Sequence, residues 1–159
     1  MKRKGPGLAK IATQIAKLST ARVAVGVLGP RATAAHVDGD GETADADAPT
    51  VADVAIWNHY GTTNIPARPF IALALETHKP ELRKLFARIG RGVVEGKVAA
   101  EQALGLMGES VAGAIKAQIA DGVPPQNEES TIDRKGSATP LINFGQLRNS
   151  VSYVVREKS

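Results

Sequence analysis

The sequence predicts an α+β fold: a small β-sheet packed against several helices, with a long exposed loop or hairpin excursion. Three observations lead there. Apolar residues at helical spacing fill the middle of the chain, and Val-rich strand candidates at 22–28 and 151–155 flank that helical part. Residues 31–49 are mostly Ala, Asp and Gly, with almost no large apolar side chain.

Leu8, Ile11, Ile15 and Leu18 recur at spacings of three and four, which predicts an amphipathic helix over 8–18. Ser19 and Thr20 are expected to break it. The strand at 22–28 follows, with Val23, Val25 and Val27 on one face and Gly29-Pro30 as its end. The 31–49 stretch reads as an exposed excursion, too poor in apolar surface to be buried. Thr50 with Asp53 resembles a capping box, so a short helix should start at Val51, run to about Tyr60 and stop at a positive-φ Gly61.

Pro69 suits a helix start. Phe70, Leu73, Ala74 and Thr77 keep one face, and Leu82, Leu85, Phe86 and Ile89 continue it. Pro80 interrupts that period and predicts a kink or two abutting helices. A further helix covers roughly 98–120 through Leu104, Met107, Val111 and Ile115, with Asp121-Gly122 as its stop. Residues 122–141 are a second irregular stretch. A helical turn at 146–150 leads into the last strand. The two strands have few other places to bury their Val-rich faces and should share one sheet. All of 1–159 reads as a single domain with a flexible basic terminus at 1–7.

At 159 residues with 43% hydrophobic side chains the chain can build a core, yet only 4% are aromatic, so that core rests on small aliphatic groups. A modestly stable single copy, held within a larger assembly, is the expectation. The chain has no cysteine, which excludes disulfides, thiolate nucleophiles and Cys-based metal sites. Neither a membrane-spanning run nor an apolar region behind the basic start is present, so the chain reads as soluble and unexported, with no membrane partner.

The search for chemistry yields no catalytic residue, metal site or cofactor. His36, His59 and His78 belong to no ligand pattern, and the acidic run from Asp38 to Asp45 departs from calcium-loop order. Gly90, Gly92 and Gly96 punctuate a helical segment and form no phosphate loop. Net charge is +4 and the isoelectric point is near 9.5, which tolerates a nucleic-acid neighbour. Acidic residues crowd 38–53, while 2–4 and 79–97 are basic, a segregation that suits two faces meeting different partners. Arg83, Lys84, Arg88 and Arg91 are the candidates to face DNA, without any signature of sequence-specific binding.

Two segments stand out. Trp57-Asn58-His59-Tyr60-Gly61-Thr62 is followed by Ile65-Pro66-Ala67-Arg68-Pro69-Phe70, and later comes Thr139-Pro140-Leu141-Ile142-Asn143-Phe144-Gly145-Gln146-Leu147-Arg148-Asn149-Ser150. In order and spacing they resemble the signature of tail-completion and head–tail joining proteins of tailed bacteriophages. That group typically carries an aromatic-Gly-Thr step, a Pro-Ala-Arg-Pro-Phe run, and a Leu-Ile-Asp-Thr-Gly-x-Leu block before a closing strand. Here Asn143 and Phe144 replace the Asp-Thr, and the 31–49 excursion matches no part of the pattern.

The resemblance implies a structural virion protein, not an enzyme. It would form a homo-oligomeric ring, of six by family analogy, at the head–tail junction, after assembly in the bacterial host cytoplasm. Its partners would be neighbouring neck or connector and tail-tube proteins, and DNA would pass through the ring without sequence specificity. Tail completion, tail terminator and head-side connector all remain open. The residues expected at its interfaces are Trp57, Tyr60, Pro66, Arg68, Pro69, Gln146 and Arg148. Pro66 and Pro69 should stiffen the loop and present Arg68 outward, while Phe70 anchors it on the core. Asn143 should cap the turn that follows it. The competing reading is a nonspecific DNA-binding protein.

Overall fold

The computed structural model describes residues 7–36, 48–125 and 145–158. Its elements run α1 (Leu8–Thr20), β1 (Ala21–Val27), α2 (Val51–Tyr60), α3 (Phe70–Val94), α4 (Ala100–Asp121), α5 (Gln146–Ser150) and β2 (Val151–Glu157). The expected α+β class is what forms: a two-stranded antiparallel sheet packed against long helices.

Ser19 and Thr20 do not break α1. Their hydroxyls donate back to the Ala16 carbonyl, at 2.8 and 3.1 Å, so the helix keeps its last turn and β1 begins without a loop.

β1 and β2 pair along their whole length, with Val25 opposite Tyr153 and Val27 opposite Val151. Directly opposed residues share a face, so Val23, Val25 and Val27 join Val151, Tyr153 and Val155 on one side. That side lies on α4, and Gly108 is the contact point. A Cβ there would stand 2.5 Å from Cδ2 of Tyr153 and 2.8 Å from Cγ1 of Val23. The absent side chain lets strand and helix close together.

α4 is the central element. It packs on α3, on both strands, on α1 and on α5, and it buries the small residues Ala103, Ala112 and Ala114 as well as the larger Ile115. The main core joins Val51, Phe70, Ile115, Ile119, Leu147 and Val151. A second cluster of Ile89, Val93 and Ala103 lies further along α3, where Leu18 of α1 packs against it.

Of the two alternatives at Pro80, abutting helices do not form: α3 is one 25-residue helix with Pro80 inside it. Pro80 is exposed, so the carbonyl of Glu76, which loses its backbone donor there, lies where water can replace it. Of the 31–49 stretch, Arg31, Thr33, Ala34, Ala35 and Pro49 are exposed as expected, and its base is tied down by hydrogen bonds. The Ala52 and Val51 amides donate to the Ala32 and Ala34 carbonyls, the His36 amide donates to the Pro49 carbonyl, and Ala32 is buried. Small Ala side chains let this backbone lie against the start of α2. Residues 37–47, the basic start at 1–6 and the Asn143 cap lie outside the described residues.

Candidate functional site

The first motif segment builds a stapled loop between α2 and α3. The capping box at its upstream end forms as expected: the Asp53 amide donates to Thr50 Oγ1 at 3.2 Å, and the Thr50 amide donates to Asp53 Oδ2 at 2.9 Å. Hydrogen bonds from the Thr50 side chain and backbone hold the Asp53 carboxyl below its usual pKa. Gly61 ends α2 at φ 79°, its amide donating to the Trp57 carbonyl. A Cβ at Gly61 would lie 2.9 Å from the Ala67 nitrogen and 3.0 Å from the Ile65 oxygen, so the loop folds back over the glycine.

Arg68 is placed opposite to the sequence expectation. Its side chain is turned inward, leaving the residue 6% exposed, and Nε donates to the Pro125 carbonyl at 2.8 Å. Its amide donates to the Asn58 carbonyl at 2.6 Å. Desolvation lowers its pKa, although the guanidinium remains charged at any ordinary pH. The inversion accompanies a tight turn: Pro69 sits at φ −73° and ψ 64°, and the Phe70 amide donates to the Arg68 carbonyl at 2.7 Å across it. Arg68 and Phe70, on either side of that turn, are both buried, while Pro66, Ala67 and Pro69 are exposed. Arg68 therefore ties the loop to the exit of α4 within its own chain. Its assignment as an outward contact is corrected.

The other expected interface residues divide. Tyr60 is 75% exposed and Trp57 is 40% exposed, while Gln146 is half-buried and Arg148 exposed on α5. Arg83, Lys84, Arg88 and Arg91 are all exposed, and none joins an ion pair among the described residues. At 100° per residue, Lys84, Arg88 and Arg91 fall within about 60° of one another, on the side of α3 away from Ile89 and Val93.

The structure adds a feature not singled out in the sequence. Between α2 and the start of α3 lies an apolar groove of about 440 Å³, walled by Ile56, Tyr60, Ile71 and Leu75, with Phe70 and His59 behind them. Ile56 and Leu75 are about half exposed. The signal was in the sequence: apolar residues surround α2 instead of gathering in one stripe, yet only Val51 and Ala55 are buried. A helix apolar all round is ordinarily covered all round.

His59 meets Phe70 edge to face, with centroids 5.2 Å apart, and Nδ1 is buried with no hydrogen-bond partner among the described residues. Desolvation lowers its pKa. The unfolded chain takes up this proton near pH 6.5, whereas the folded chain does so only at lower pH. In that window the unfolded state binds more protons, so acidification from pH 7 toward 5 should lower stability. Asp53, Glu95 and Glu101, whose pKa values are also lowered, act below that range. Melting temperature against pH measures the effect, and His59→Gln should flatten the slope between pH 7 and 5. An unchanged slope would assign it to other groups.

No protein-family model, curated protein or solved structure matches the chain. Among the described residues no group of three or more His, Cys, Asp or Glu is placed to hold a metal, and no helix is long and apolar enough to cross a membrane.

Proposed function

We propose that this chain is a structural virion protein of a tailed bacteriophage. It forms a ring at the head–tail junction that completes the tail, joins it to the neck and leaves a channel for DNA. The observation that carries the reading is α2. The helix that bears the aromatic-Gly-Thr motif keeps Ile56, Trp57 and Tyr60 uncovered beside an apolar groove. Surface of this kind on a single chain suits an assembly partner. The motif order supports the same reading, since Phe70 of the first segment and Leu147 of the second meet in one buried cluster.

Negative-stain images of the protein, alone and bound to virions, test the proposal. Rings in solution, or labelled protein at the junction between head and tail, are expected. Label found only in free host extract, never on particles, removes the reading.

A second reading, nonspecific DNA binding, is favoured by the basic face of α3. Phosphate contacts release counterions, so such binding weakens steeply with salt. For a ring subunit that lets DNA slide past, the isolated chain should bind duplex DNA more weakly than about 100 µM at physiological salt. Low-micromolar binding with a steep salt slope, lessened by about one unit for each of Arg88→Ala and Arg91→Ala, would favour the DNA-binding reading.

A further inference from the structure

No residue of α1 is buried, whereas each other helix buries at least two. Among the described residues the main core takes nothing from α1, and the second cluster takes only Leu18, which is partly buried. The helix is also seated off-centre. Its half-buried residues are Ile11, Gln14 and Leu18, an arc of about 60° at 100° per residue. Leu8 and Ile15 of the same apolar stripe fall outside that arc and are 86% and 50% exposed. A cleft of about 140 Å³ stays open beneath the helix, with Ile11, Gln14, Val93 and Val98 in its walls.

What holds α1 instead is polar, and it converges on the first turn of α4. Gln14 Oε1 accepts from the Ala100 amide at 2.7 Å, and Lys17 pairs with Glu101 at 2.6 Å. The ion pair has side chains 49% and 74% exposed and adds little. The Gln14 contact weighs more. Ala100 is fully buried, its amide is one of those a helix start leaves without an internal acceptor, and the N-cap Ala99 supplies none from its side chain. At its other end α1 runs into β1 through Thr20, whose carbonyl accepts from the Lys158 amide at 2.7 Å. The ladder thus holds the chain from Thr20 onward and leaves 8–19 to move as one piece.

We infer that α1 is a strap latched by Gln14 onto the first turn of α4. It opens as a unit about Thr20 while the sheet, α3 and the main core stay folded. Opening lifts Leu18 from the Ile89–Val93 cluster and hydrates the Ala100 amide. It also presents Leu8, Ile11, Ile15 and Leu18 together, a stripe that the closed form uses only in part. The strap does not depend on the ring reading.

Native-state hydrogen exchange of the full-length chain, read by mass spectrometry at urea concentrations below the unfolding midpoint, tests this. A released 13-residue helix is marginal in water, so its amides become exchangeable. Amides of 11–19 should exchange about a hundredfold faster than those of 104–119. Their rate should barely respond to urea, because lifting one helix exposes little surface. Gln14→Ala should speed exchange of 11–19 and of 100–102 together, on the order of tenfold, and leave 104–119 unchanged. Gln14→Glu keeps the acceptor and should exchange like the parent.

Exchange of 11–19 that tracks 104–119 at every urea concentration would mean that α1 leaves only with the whole fold, which overturns the strap. Exchange of 11–19 at the rate of an unstructured chain would mean that no latch closes, and overturns it equally. An effect of Gln14→Ala that is absent, or confined to 100–102, removes Gln14 as the latch.

Discussion

Phe70→Ala is expected to lower the stability of the chain by about 3–5 kcal/mol, the largest loss of any single truncation considered. The ring is 1% exposed and belongs to the same buried cluster as Ala74, Ile115 and Leu147. Ala55, Ala74 and Ala112 in that cluster are too small to swing into the space left behind, so the cavity should persist. For a domain of this size the loss corresponds to a fall in melting temperature of roughly 10–15 °C. Phe70→Leu, which keeps most of the volume, should lose less than about 1.5 kcal/mol. Scanning calorimetry of both variants checks the pair. A melting temperature for Phe70→Ala within a few degrees of the parent would show that the neighbours collapse into the space.

The second large effect belongs to Arg68. Arg68→Ala should lower stability by about 2–3 kcal/mol, because a buried charged donor is removed from the Pro125 carbonyl and its stem leaves a void. Arg68→Lys is the sharper variant. An outward charge contact would accept lysine, whereas lysine has no donor at the Nε position and cannot copy the planar guanidinium. Both substitutions should therefore lower the melting temperature, and protease should cut the 61–69 loop faster. If instead both leave melting unchanged and abolish joining of heads to tails, the side chain acts outside its own subunit. That result would reinstate the expectation drawn from the motif alone.

Much of the fold was legible in the sequence. Strand pairing followed from two Val-rich segments with one buried face each, and α2 followed from the Thr50–Asp53 box and Gly61. These signals are local: a period, a cap, a positive-φ turn. Of the two alternatives at Pro80, separate abutting helices do not form, because proline removes one hydrogen bond, and tertiary packing of Leu85, Ile89 and Val93 outweighs that loss at an exposed position. Ser19 and Thr20 were misread for a related reason, since their hydroxyls can bond back into the helix as readily as end it.

The candidate site was less legible. Trp57, Tyr60 and Arg148 lie at the surface, as a contact surface requires, but the groove beside Tyr60 exists only once Leu75 of α3 stands across from Ile56.

By itself, then, the sequence determined the helices, the two strands, their shared face and the burial of Phe70, because each depends on spacing along a few turns or residues. The tertiary structure alone decided the direction of Arg68, the course of α3 through Pro80 and the close approach of Tyr153 to Gly108. Each of these depends on a partner far away in the chain, and spacing carries no information about which distant group will lie opposite. For Arg68 that partner is the Pro125 carbonyl, and a charge flanked by prolines looks the same in sequence whether it meets solvent or a buried acceptor.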